Sequence, residues 1–112
     1  MFTEYTGNRQ FDLQLNRTFA PILDRPGMDK IAATALPRLR TTKQITELAQ
    51  RLAERFSSKG DAGAAWHLYE LAAFYLGAND PRKRSFIDAM STRFDEARNG
   101  LALTRHAIPY RG

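Results

Sequence analysis

The chain has 112 residues, 43% of them hydrophobic and 26% charged, which allows one domain with a modest core. With 17 Lys and Arg against 12 Asp and Glu the net charge is +5, and with no Cys both disulfides and thiolate metal sites are excluded. The longest apolar run, residues 71–76, is far short of the roughly 20 residues a membrane-spanning helix needs. The start MFTEYTGNRQ lacks the apolar core of a secretory signal, so a cytoplasmic protein without membrane contact is expected.

Phe11, Leu15 and Phe19 recur at i, i+4 and i+8 and predict a short helix from Asn8 to Phe19, closed by Pro21. A second short helix is expected from Met28 to Leu36, with Ile31, Ala32 and Ala35 on one side. It lies between the turn Arg25-Pro26-Gly27 and the breaker Pro37. Thr41 followed by Gln44 forms a capping box, in which the hydroxyl accepts from the Gln44 N–H and the amide reaches back. Ile45, Leu48, Ala49, Leu52, Ala53 and Phe56 then recur at helical spacing, and Gly60 is the expected left-handed end of this third helix. Asp61 caps a fourth, in which only His67 and Glu70 are strongly polar between Ala64 and Leu76; Gly77 ends it. A helix apolar on nearly every face is buried by neighbours on most sides. Asp80-Pro81 opens a fifth helix with Phe86, Ile87, Met90, Phe94 and Ala97 as its buried stripe, stopped at Asn99-Gly100.

From Leu101 to Tyr110 the period changes to a weak alternation containing Pro109, which reads as an edge strand with no partner earlier in the chain. The expected fold is therefore all-α: a bundle of four to five helices over residues 1–100, with a short strand-like tail over 101–112.

Catalytic motifs are missing. Ser57, Ser58, Ser85 and Ser91 lie in or at the ends of predicted helices, without the Gly-x-Ser-x-Gly of a nucleophile elbow. His67 and Glu70 lack a second ligand pair, so no metal and no cofactor are expected, and His106 falls in the tail. The aromatics Trp66, Tyr69, Phe74 and Tyr75 are candidates to line a pocket or an interface, set against the ordinary reading of aromatics at helical spacing as core. Arg82, Lys83 and Arg84 are a candidate anion contact at a helix start, although three cations oppose the helix dipole there.

Leu68-Tyr69, Ala72, Phe74-Tyr75-Leu76, Asp80-Pro81-Arg82-Lys83 and Ile108-Pro109-Tyr110-Arg111-Gly112, with FDLQL at residues 11–15, carry a family likeness. They resemble the N-terminal helical cap region of α/β hydrolases of the 2,6-dihydroxypseudooxynicotine hydrolase and fermentation/respiration switch esterase type. There a YYxxAxFFL helix, an Asp-Pro loop with a basic residue, an amphipathic helix and an IPYEG strand precede the catalytic sheet. Leu68 departs from the leading aromatic of that pattern. The resemblance implies a helical cap over the mouth of a Ser-His-Asp site, with a catalytic domain following in the same protein and hydrolysing an ester or a related carbon–carbon bond. In this chain alone, the apolar fourth helix and the tail are expected to find a second copy, giving a homo-oligomer.

Two other classes stay open as alternatives, a free-standing helical interaction module and, behind it, a small basic nucleic-acid-binding domain. For a free-standing helical interaction module, such as a tetratricopeptide-like array, the Trp-x-x-Leu-Gly-x-x-Tyr signature is not met. For a small basic nucleic-acid-binding domain, no helix is both Arg-rich on one face and supplied with Asn or Gln base readers.

Overall fold

The computed structural model describes residues 2–111, those from 101 onward by their helical backbone alone. Five α-helices follow in chain order: α1 Arg9–Phe19, α2 Met28–Thr34, α3 Thr42–Ser58, α4 Ala62–Phe74 and α5 Pro81–Arg111. Two 3₁₀ turns, Ala20–Ile22 and Leu36–Arg38, carry the chain through Pro21 and Pro37. No strand occurs among the described residues.

The helix starts follow the local chemistry read from the sequence. Asn8 Oδ1 accepts from the Phe11 N–H at 3.1 Å and opens α1. Thr41 Oγ1 accepts from the Gln44 N–H at 3.1 Å while Gln44 Oε1 accepts from the Thr41 N–H at 3.2 Å, so both halves of the α3 capping box form. Gly60 takes φ 80° after α3, and Gly27 takes φ 83° before α2, both in the region that side chains rarely enter.

Asp61 does two jobs. Its Oδ1 accepts from the Ala64 N–H at 3.0 Å and caps α4, while its Oδ2 accepts from Arg25 Nε at 3.0 Å and ties the turn before α2 to that cap. Burial pushes the Asp61 carboxyl up, but the Arg25 hydrogen bond and the Ala64 amide outweigh it and hold the group below the usual carboxylate range.

At the centre, α4 packs against α3 on one side and α5 on another, with a smaller contact to α1. Ala64, Ala65, Leu68 and Ala72 of α4 are fully buried, as are Ala49 and Ala53 of α3. Alanines on both facing helices let the backbones approach closely. Leu15, Phe19, Ile22, Met28 and Leu36 complete the core from the N-terminal third.

A feature the sequence did not announce sits in the first turn of α1. Asp12 is only 1% exposed. Its carboxylate accepts from the Thr6 N–H and the Thr6 hydroxyl, each at 2.9 Å, and from the Gly7 N–H at 3.2 Å. One turn on, Asn16 receives the Thr3 N–H on Oδ1 at 2.8 Å and donates from Nδ2 to the Thr3 carbonyl at 2.7 Å. The first residues are thereby strapped back along α1.

Three expectations are corrected. First, α4 ends at Phe74, with Tyr75 as its C-cap, short of Leu76. Second, the predicted stripe of α5 is only partly covered: Phe86 is buried, but Ile87 and Phe94 are 37% and 42% exposed because neighbours reach just one side of this helix. Third, Asn99-Gly100 does not stop α5, and the segment expected as a strand is helical through Arg111. A helix satisfies its N–H groups within the segment, whereas a lone strand leaves them unpaired. Gly100 costs about 1 kcal/mol relative to Ala, which by itself does not end a helix.

Asp12→Ala should destabilise the chain by about 2–3 kcal/mol in urea denaturation, since a buried carboxylate accepting three hydrogen bonds is lost. Asp12→Asn, which keeps one acceptor oxygen, should lose less. A midpoint unchanged in both would show that the strap contributes nothing.

Candidate functional site on the α4–α5 face

Trp66, Glu70 and Phe74 fall at i, i+4 and i+8 and share one face of α4; Ile87, Ser91 and Phe94 share a face of α5. The two faces meet where Trp66 packs edge-to-face on Phe94, with ring centroids 5.1 Å apart and planes at 86°. Beside this pair lies a cleft of about 450 Å³ lined by Trp66, Glu70, Met90, Ser91, Phe94 and Asp95.

Its floor is aromatic and thioether; its rim is charged. The Arg98 guanidinium stands 5.7 Å from the Phe94 ring centroid and donates to Asp95 at 3.2 Å. Glu70 pairs with Arg17 of α1 at 3.4 Å, an exposed contact of small energetic weight that orients the carboxylate. His67 stacks on the Trp66 indole at 3.7 Å between centroids. Phe74 is 46% exposed, which with Ile87 and Phe94 leaves large apolar side chains open along both helices.

The four aromatics singled out from the sequence divide. Trp66 and Phe74 belong to this face. Tyr69 turns the other way into the core beside Phe86, ring centroids 6.3 Å apart, and burial pushes its hydroxyl pKa up. Tyr75 leans on Phe11 of α1, its hydroxyl buried without a hydrogen-bond partner and its pKa likewise raised by burial.

The basic run divides as well. Arg82 is clamped by Asp80, Nε at 3.1 Å and Nη2 at 2.8 Å. Lys83 Nζ donates to the Leu76 carbonyl at 3.0 Å and closes the end of α4. Arg84 points outward beside Asp88 at 3.5 Å. Asp95 is not singled out by the sequence; Glu70 and Ser91 are set aside there as a metal ligand and a nucleophile, Met90 reads as core stripe, and only their spacing against Trp66 and Phe94 places them at this cleft.

Ser57 Oγ accepts from Arg93 Nη1 at 2.7 Å, and among the described residues no hydrogen bond joins a serine to a histidine. No group of three or more His, Asp or Glu that could hold a metal ion occurs among the described residues. No helix there is long and apolar enough to cross a membrane. No protein-family model matches this chain, and neither a curated protein nor a solved structure matches it.

Phe94→Ala should change thermal stability by less than about 1 kcal/mol, whereas Leu68→Ala, fully buried on the same pair of helices, should cost about 3–4 kcal/mol. Equal losses would place Phe94 in the core. Burial pushes the His67 imidazole below its ordinary 6.5, Glu70 opposing and Arg25 and Arg17 adding to the effect. The unfolded chain then binds the proton more readily, so stability should hold above 6.5 and fall as the pH drops through it toward the folded value. Urea midpoints across that range should show this step, and His67→Gln should flatten it.

Proposed function

We propose that this chain is the helical cap of a serine α/β hydrolase, seated by its α4–α5 face on a catalytic domain of the same protein and shaping the substrate pocket without supplying a catalytic group. The observation that carries this reading is the open aromatic face: Phe74, Ile87 and Phe94 exposed beside half-buried Trp66 and Met90, around a cleft rimmed by Glu70 and Asp95. Apolar surface of this kind, bordered by polar residues, marks an interaction surface or a ligand groove. The choice of partner rests on the likeness of residues 68–83 to the cap helices of those hydrolases. Acyl transfer to water, on an ester or a related carbon–carbon bond, is then the work of the catalytic domain. The cap's part is to cover the pocket mouth and exclude water from it. A cytoplasmic setting accords with a cysteine-free sequence.

The isolated chain should not hydrolyse p-nitrophenyl acetate above the buffer rate. The whole product of its gene should, and there Phe94→Ser should raise KM for bulky esters more than for the acetate. Turnover by the isolated chain that disappears when Ser57, Ser58, Ser85 or Ser91 is replaced would overturn the reading, as would a gene with no Gly-x-Ser-x-Gly after residue 112.

A second reading, a free-standing helical interaction module, is favoured by one observation: α5 runs on as a helix through Arg111, where the cap likeness expects a strand. In either case the α4–α5 face of the chain alone meets a second copy across a two-fold axis. Sedimentation equilibrium should report a dimer, and Phe74→Ser with Phe94→Ser should shift it to monomer. A monomer for the unaltered chain at high micromolar concentration would show that this face is not self-complementary.

A further inference from the structure

We draw no further inference here: the strongest candidate, the cleft between α4 and α5 lined by Trp66, Glu70, Met90, Ser91, Phe94 and Asp95, belongs to the site already described, and with Glu70 and Asp95 paired to Arg17 and Arg98 nothing in the structure shows what ligand would enter it.

Discussion

The absence of a polar face on α4 is the constraint from which the rest of the arrangement follows. Between Ala62 and Phe74 only His67 and Glu70 carry strongly polar groups, so no orientation leaves the helix comfortable in water. Helix α3 answers with Ala49, Leu52, Ala53 and Phe56, and α5 with Phe86, while α1 covers part of a third side. The two polar residues are accommodated at the margin: Glu70 reaches Arg17, and His67 lies flat on Trp66. Three helices do not close a cylinder, and the uncovered sector is the one that holds Trp66 and Phe74.

The exposed aromatic face is therefore what remains of α4 after its own chain has done what it can. That account also explains why Ile87 and Phe94 are open on α5. They lie over the same uncovered sector, and burying them would require a further element that residues 2–100 do not place there. Trp66 and Phe94 cover each other edge-to-face, which is why Trp66 is only half exposed while Phe74, paired with Tyr75 at 4.9 Å, is left open. A partner would meet a surface whose shape is already set by packing against the core. Little ordering entropy then opposes association, a general advantage of preorganised faces.

Legibility in the sequence tracked the range of the interactions involved. Capping at Thr41 and Asp61 and the left-handed turn at Gly60 are decided within four residues, and all three occur as read. The stripe Phe86, Ile87, Met90, Phe94, Ala97 was a correct statement about which side chains share α5, but periodicity is silent on whether anything lies opposite. Tyr69 and Phe74, five residues apart on one helix, point about 140° from each other, and only the crossing of α5 decides which is core. The tail beyond Gly100 failed because an alternation in which neither set is uniformly apolar has no claim on a strand, while the backbone's need for local partners favours helix. Asp12 was illegible for a different reason. A carboxylate in the first turn of a helix reads as a wet, dipole-matched residue, and nothing local signals that the chain before it will fold back to donate three hydrogen bonds.

Three acidic residues act as anchors of the fold. Asp12, Asp61 and Asp80 each accept from backbone N–H groups and thereby serve as anchors of the strap, α4 and α5. Acids used in this way are fixed in place by the fold. The cations are spent differently: Arg25 and Arg82 steady two of those anchors, Arg40 donates to the Pro37 and Leu39 carbonyls, Lys83 closes α4, and Arg93 holds Ser57 and Glu96. These five cations thus serve separate structural duties in the fold.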